Sequence, residues 1–382
     1  MSIKLGIIGG GQLAWMMSDA ANKLGVELIV QTPNQDDPAV SIAQETVFGA
    51  VDDAAATEIL ASKCDIITFE NEFVNLDALY LLEQQGVCFR PRLAALSPLL
   101  DKYHQRCYLQ DLGLPVPQFF ALEKPEDIQT KIENWDFPIV LKARRHGYDG
   151  QGTFVIHDLA SLSKVVNQKN TQFLVEEFVP FKKELAIIAA RSVNGEIVTY
   201  PVVETQQQQQ VCRRVIAPAD ITPQQVAEIQ AIAHTLLNSL QVVGVFGIEL
   251  FITADGKILV NEIAPRTHNS GHFSLDACET SQFEQHLRAV CGLPLEHTQL
   301  NCTSAIMVNL LGYENSHSDY QSQRQQLAAI PHAHLHWYGK TESRPGRKLG
   351  HLTVLLEQQN EQTALDIIHQ IESIWYPPEK FS

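Results

Sequence analysis

Two glutamates near the middle of the chain are spaced to share a cation. Asp255-Gly256 separates two strongly apolar runs, 245–253 and 257–263, and that dipeptide between such runs predicts a hairpin with a two-residue turn. The turn sets Glu249 directly opposite Glu262, with Cβ atoms about 5 Å apart. Like charges so placed, among residues that read as buried, need a cation or a shared proton between them. Asn261 adds a third oxygen. An all-oxygen, carboxylate-based set suits Mg²⁺ held against nucleotide phosphates; the alternative is two glutamates on a solvated sheet face.

Two further segments read as phosphate chemistry. Lys142 ends the apolar strand 138–141, where a cation in an acidic protein can neutralise phosphate. It is followed by His146-Gly147-Tyr148-Asp149-Gly150-Gln151-Gly152, a glycine-rich stretch able to close as a flap. At the start of the chain, Gly9-Gly10-Gly11-Gln12-Leu13-Ala14 fits G-x-G-x-x-G/A between a strand and a helix. A dinucleotide site also needs an acidic residue at the end of the second strand. Here that strand ends Val30-Gln31-Thr32-Pro33, and Asp36 and Asp37 come late. The turn therefore reads as a phosphate or small-ligand contact, or as a tight turn with no ligand.

The elements that must position these residues form an α/β protein. A strand at 3–8, a helix over 12–24 and a strand at 27–30 open a βαβ unit; a strand at 65–69 of the same sheet and a helix over 76–85 follow, and the first domain ends near 90–98. A helix follows over 98–112, closed by Gly113 and two prolines. Strands are expected at 137–143, 153–157, 173–178, 185–191 and 197–203, and an amphipathic helix at 223–240. The glutamine run 206–210 reads as a polar loop. Strands near 303–310 and 349–356 and a helix over 362–375 complete the chain.

Composition limits the partners. The 382 residues carry 28 Lys+Arg against 44 Asp+Glu, a formal charge of −16, with 45% hydrophobic residues. That is ample for a folded core, and the acidic balance argues against nucleic acid and anionic membranes as partners. No run approaches a membrane span, and Gly9–Gly11 interrupt the apolar start too early for a signal peptide. Seven scattered cysteines without a CxxC pair read as reduced thiols of a cytoplasmic protein. His332, His334 and His336 alternate as on one strand face, but no carboxylate accompanies them in sequence, so a structural role is expected. His268 and His272 share a helical metal spacing, yet Asn269-Ser270-Gly271 argues for a loop.

Taken in order, the strand lysine, the glycine loop, Glu-Glu-Phe-Val, a later glutamate and the glutamate pair with Asn resemble the ATP-grasp fold. More narrowly, the chain resembles the N5-carboxyaminoimidazole ribonucleotide synthase family. The resemblance runs through GGGQL (9–13), TFENE (68–72), GYDGQG (147–152), NEIAPRTHNSGH (261–272), HLHWY (334–338) and RPGRKLGH (344–351). APRTHNSGH and RPGRK are the most specific of these. The implied architecture is a Rossmann-like pre-ATP-grasp domain (1–98), an ATP-grasp domain (99–295, with a smaller lid at about 116–190) and a small mixed C-terminal domain (296–382).

The resemblance implies roles for named positions. Lys102 and Lys142 would contact ATP phosphates, with Gly147, Tyr148, Asp149, Gly150, Gln151 and Gly152 as the loop above them. Glu176, Glu177, Phe178 and Val179 would form the adenine hinge through their backbone, and Glu184 would hold the ribose hydroxyls. Glu249 and Glu262, with Asn261 beside them, would hold magnesium. Arg266, His268 and Asn269 would cradle bicarbonate and carboxyphosphate, and Tyr148 and Asp149 would close on the acceptor side. Gly11, Gln12, Leu13, Glu70, Glu72, Lys340 and Arg347 would bind the ribonucleotide, the last two at its 5′-phosphate.

The implied reaction is ATP-dependent carboxylation of aminoimidazole ribonucleotide with bicarbonate in purine biosynthesis. The expected assembly is a homodimer, with the product passed to a separate mutase. Several positions depart from the family pattern: Ala14-Trp15 after GGGQL, Phe73 after the acidic motif, Gln151 in the glycine loop, and glutamine within 206–210 where a histidine is usual. A sibling ATP-grasp ligase using formate or another amine acceptor, and a nucleotide-binding sensor, are the alternatives.

Overall fold

The computed structural model describes residues 2–124, 127–145, 152–169, 171–208, 210–358 and 360–377. β1 (Ile3–Ile8), β2 (Val26–Thr32), β3 (Glu45–Phe48) and β4 (Ile66–Phe69) form a parallel sheet in the order β3-β2-β1-β4. The consecutive buried residues Leu5–Ile8 of β1 and Leu28–Thr32 of β2 fit strands covered on both faces. The helix expected over 12–24 is two pieces, Gln12–Trp15 and Ser18–Leu24, with buried Met16 and Met17 between them.

A second, antiparallel sheet is small. It holds β5 (Phe119–Leu122), β6 (Ile139–Ala143), β7 (Thr153–Ile156) and β8 (Phe173–Glu177) in the order β5-β8-β6-β7. Ile139 and Leu141 of β6 and Val175 of β8 share an apolar cluster with Leu162 and Val166 of the helix Leu159–Gln168.

The third sheet has nine strands: β9 (Phe181–Arg191), β10 (Ile197–Thr199), β11 (Val203–Gln208), β12 (Val211–Ala217), β13 (Gly244–Thr253), β14 (Ile258–Ala264), β15 (Ser304–Leu311), β16 (Ala333–Trp337) and β17 (Lys348–Leu356). Their order is β14-β13-β9-β11-β12-β15-β17-β16, with β10 pairing β9. Two expectations change here. The single strand expected at 197–203 is divided between β10 and β11. The glutamine run is no loop either: Gln206, Gln207 and Gln208 belong to β11, and Gln210 turns the chain at φ 63°. The sheet also runs without a break from β12 into β15. The helix Pro223–Leu240 matches its expected span, opened by a Thr222/Gln225 capping box and Pro223 in the first turn.

The glutamate hairpin reaches the expected pairing by a different route. Gly256 N–H donates to the Thr253 carbonyl at 3.0 Å, and Gly256 has φ 84°, so the loop is one residue longer than Asp255-Gly256. Near the loop Ile252 faces Ile258, whereas beyond a register shift Glu249 faces Glu262. The shift is a β-bulge in which β14 carries Asn261 as an extra residue. Loop and bulge offset each other, and the two glutamates come out opposite. Strict alternation would send Asn261 and Glu262 to opposite faces; with the bulge, both reach the same group of side chains.

Candidate active site

Around the glutamate pair, charge is balanced unevenly. Lys102, at the start of the helix Lys102–Asp111, ion-pairs with Glu262. Glu249 accepts a hydrogen bond from Asn261 Nδ2 at 3.4 Å, and His268 Nε2 lies 3.4 Å from its other oxygen. Burial and the facing Glu262 charge push the Glu249 carboxyl up to about 7. Burial also opposes ionisation of Glu262, but Lys102 and Lys142 outweigh it and hold that carboxyl below its usual range. Two carboxylates that share a buried site without a cation divide in this way, one low and one high. Two carboxylates and an amide oxygen fit Mg²⁺ as the donor set.

Lys142 reaches this group from β6. Its Nζ lies 2.6 Å from Glu176 Oε2 and donates to Asn261 Oδ1 at 2.9 Å. Burial lowers its pKa more than Glu176 raises it. The Glu176 carboxylate is clamped between Arg106 and Lys142; although burial opposes its charge, these cations hold it down at about 2. The hinge expectation gave Glu176 a backbone role only, and its side chain turns out to tie two cations together. Val179 is buried and Phe178 is 40% exposed, leaving an apolar ring open beside the hinge.

Glu184 lies on β9 next to β13, opposite Phe251. Burial and the nearby Glu249 charge raise its carboxyl to about 7, and a hydrogen bond with Gln207 opposes that rise. Gln207 thus belongs to this neighbourhood, although the run it sits in read as a loop.

Beyond β14, Arg266 makes a two-pronged ion pair with Glu72, Nε to Oε2 at 2.6 Å and Nη2 to Oε1 at 3.0 Å. Burial opposes the Glu72 charge, but Arg266 holds the carboxyl below its usual range. His268 crosses β13 at Gly247, where any Cβ would collide with the His268 side chain. Its ring also bonds Ser270 Oγ at 2.8 Å, capping the turn Asn269–Gly271. Asn269 sits apart from Arg266's carboxylate partner: its amide exchanges hydrogen bonds of 3.0 and 2.7 Å with buried Asn309.

The glycine turn is occupied from within. Glu70 accepts hydrogen bonds from Gly11 N (3.2 Å) and Leu13 N (3.3 Å), so a carboxylate already fills the position where a phosphate would sit. Glycine is needed there because a Cβ at Gly9 or Gly11 would strike the Glu70 carboxylate. Burial raises the Glu70 pKa, opposed by these N–H groups, Arg266 and Lys340. Glu70, Gly10, Thr32, Asp37 and Asn71 line a cleft of about 400 Å³. Lys340 Nζ donates to Gln12 Oε1 at 2.9 Å, bringing the C-terminal segment to the turn. Arg347 instead donates to the Glu342 carbonyl at 2.8 Å.

Gly147, Tyr148, Asp149, Gly150 and Gln151 lie outside the described residues; Gly152 accepts a hydrogen bond from Ala143 N at 2.7 Å. The alternating histidines change meaning. His332 precedes β16 with φ 58°, so it does not continue the alternation. A carboxylate does accompany the other two, brought from far away: His336 Nε2 lies 2.9 Å from Asp276 Oδ2, and His334 Nδ1 lies 3.6 Å from Oδ1. His351 joins them, but its ring stacks on His336 at 4.6 Å and 14°. Parallel rings direct their lone pairs past one another, so the group is a packed polar network in these rotamers.

Sequence reading passed over Arg106. A signal existed: Lys102 and Arg106 are one helical turn apart and share a face.

Three family models match in succession: the ribonucleotide synthetase preATP-grasp domain over 2–97, the ATP-grasp domain over 107–283, and the phosphoribosylaminoimidazole carboxylase C-terminal domain over 305–364. The N5-carboxyaminoimidazole ribonucleotide synthase of Synechococcus elongatus is 56% identical over 380 residues, covering 98% of this chain and 96% of that protein. This chain belongs to the N5-carboxyaminoimidazole ribonucleotide synthase family. A second family member, from Synechocystis, is 53% identical with 98% of each chain covered. Among solved structures, an N5-carboxyaminoimidazole ribonucleotide synthetase in complex with ADP superposes with a TM-score of 0.90 at 35% identity, covering 98% of this chain and 97% of that one. The Aspergillus clavatus synthase in complex with ADP and 5-aminoimidazole ribonucleotide gives 0.89 at 30% identity, covering 97% and 98%. The three-part architecture expected for the family is therefore present, with an ATP-grasp domain between the other two.

Proposed function

We propose that the chain carboxylates 5-aminoimidazole ribonucleotide at its exocyclic amine, using ATP and bicarbonate, to give N5-carboxyaminoimidazole ribonucleotide, ADP and phosphate. The supporting observation is the convergence of Lys102, Lys142, Asn261, Glu249 and Glu262 on one point, with Arg266 one step along the same strand end. ATP lies between the small sheet and the large one, its base at Glu176–Val179 and its ribose at Glu184. Glu249, Glu262 and Asn261 would hold magnesium, which would supply charge neutralisation for phosphoryl transfer.

Bicarbonate oxygen takes the γ-phosphoryl group, ADP leaves, and carboxyphosphate forms. Arg266, its guanidinium plane oriented by Glu72, is suited to fork onto its carboxylate oxygens, and His268 borders the same space. The amine of the ribonucleotide then attacks the carboxyl carbon, phosphate departs, and the amine proton is lost. Lys142 and Lys102 act through charge and position, as phosphoryl transfer requires.

The ribonucleotide occupies the cleft by the glycine turn, near Glu70, Glu72 and Lys340. The reading includes a homodimer in the cytoplasm, supported there by seven free cysteines and by the lack, among the described residues, of any helix long and apolar enough to cross a membrane. The product is a carbamate, so the reading also includes a separate mutase that moves the carboxyl group to carbon. ADP release measured with bicarbonate, with and without the ribonucleotide, tests the proposal. Stimulation by the ribonucleotide is expected; stimulation by formate in place of bicarbonate would move the chain to a sibling reaction.

A further inference from the structure

β14 is an edge strand of the large sheet, so one row of its backbone groups has no strand to pair with and must be satisfied otherwise. The helix Lys102–Asp111 does this with two adjacent side chains. Gln105 donates to the Ile263 carbonyl at 3.1 Å and accepts from Ile263 N at 2.9 Å. Arg106, only 2% exposed, donates from Nη1 to the Val260 carbonyl at 2.9 Å and from Nη2 to the Asn261 carbonyl at 2.6 Å.

Those two carbonyls are consecutive. In a regular strand they point to opposite sides, and one guanidinium could not reach both. The bulge turns them toward one donor. It is the same bulge that brings Asn261 onto the side of Glu249 and Glu262. The third arm of Arg106, Nε, pairs with Glu176, which holds Lys142, and Lys142 donates to the Asn261 amide oxygen. Backbone and side chain of Asn261 are thus gripped from both ends of one circuit. A lysine at position 106 would keep an ion pair with Glu176, but a point ammonium lacks the planar fork that spans two carbonyls.

From this geometry we infer that Arg106 is a positioning residue: it fixes the bulge at Asn261 and so sets the oxygen group that holds the divalent cation of the nucleotide. The inference rests on the magnesium reading above. Arg106 serves it through the strand backbone and Glu176, without being one of the oxygen donors.

The test is ADP binding by calorimetry, with Mn²⁺ or Mg²⁺ and with the metal chelated, for the wild-type protein, R106K, N261A and the double variant. In R106K the affinity gained from metal should shrink by about tenfold or more, the scale of outer-shell effects on metal sites. Metal-free ADP affinity and the KM for the ribonucleotide should stay within about twofold, a limit set by standard affinity arithmetic. N261A should lose a similar share, and the double variant should lose little more than either alone. Equal weakening with and without metal, full additivity, or an unchanged R106K would overturn the inference while the magnesium reading stood. A wild-type ADP affinity indifferent to metal would overturn that reading and the inference with it. Should R106K fold poorly, N261Q, which moves the amide without touching Arg106, reads the same metal-dependent difference and must show the loss.

Discussion

Glu249 and Glu262 face each other across β13 and β14, yet only Glu262 has a lysine closing on it; Glu249 has a histidine at 3.4 Å and an amide. The asymmetry separates what each residue does when substituted. On the proposed function, E262Q should reduce turnover by about 100- to 1,000-fold, since Lys102 loses its carboxylate and the proposed magnesium would lose a ligand. E249Q should lose activity as well, but it removes a carboxyl that burial and repulsion already disfavour as an anion. Its metal-free melting temperature should equal or exceed that of the wild type. A lower melting temperature for metal-free E249Q would show that the repulsion is not what sets the Glu249 environment.

The same residues predict a pH dependence. Glu249 and Glu184, with carboxyls near 7, hold protons in the folded state that the unfolded chain releases above about pH 4.5. The folded state then binds more protons between about pH 4.5 and 7, so the stability of the metal-free protein falls as pH rises through that window. Each group contributes a slope of at most about 1.4 kcal/mol per pH unit. If Glu249 is a ligand of the divalent metal bound with ADP, as proposed, it must be ionised to bind, so the melting-temperature rise caused by metal with ADP should grow from pH 6 to pH 8. Glu176 works the other way. Its low carboxyl, about 2, contributes stability that is fully present above about pH 4.5 and lost as pH falls toward 2. A metal-induced rise that is flat from pH 6 to 8 would remove Glu249 from the metal group.

The Arg266–Glu72 pair predicts a substrate-specific loss. Without Glu72 the guanidinium keeps its charge but loses two hydrogen bonds that fix its plane. E72A should therefore lower kcat/KM for bicarbonate by about 10- to 100-fold, the usual result of misplacing a binding group. E72Q, which retains one acceptor, should fall between. Steady-state kinetics with bicarbonate varied at saturating ATP checks this, and a loss confined to the KM for ATP would place Arg266 elsewhere in the reaction.

Much of this site is legible in the sequence because its parts are local. The hairpin, the strand lysine and the helix Pro223–Leu240 announce themselves through turn chemistry, apolar runs and caps. The bulge at Asn261 does not: no residue type marks it, and it became necessary only because the loop at Gly256 is a residue longer than the dipeptide suggests. Long-range partners were equally silent. Arg106 meets Glu176 from 70 residues away, and Asp276 meets His336 from 60; neither separation leaves a periodic trace. The glycine turn reads from its spacing as a phosphate or small-ligand contact or as a tight turn with no ligand, and nothing local shows that its Gly11 and Leu13 N–H groups donate to Glu70, 59 and 57 residues away.

That last contact separates the two basic residues expected at the ribonucleotide's phosphate. Lys340 reaches the glycine turn through Gln12 and is further held by the Lys348 carbonyl at 2.8 Å. Arg347 bonds its own loop at Glu342. If the ribonucleotide lies in the cleft beside Glu70, Lys340 is the cation already anchored at its rim, and Arg347 must reorganise to contribute. K340A should then raise the ribonucleotide KM by about 10-fold or more, as the loss of a charged hydrogen bond of about 1.5–3 kcal/mol implies. R347A should raise it by less, with ATP and bicarbonate constants unchanged in both. A larger effect from R347A would place the phosphate on the 344–348 turn and away from the glycine turn, and Q12A would then leave the ribonucleotide KM unchanged.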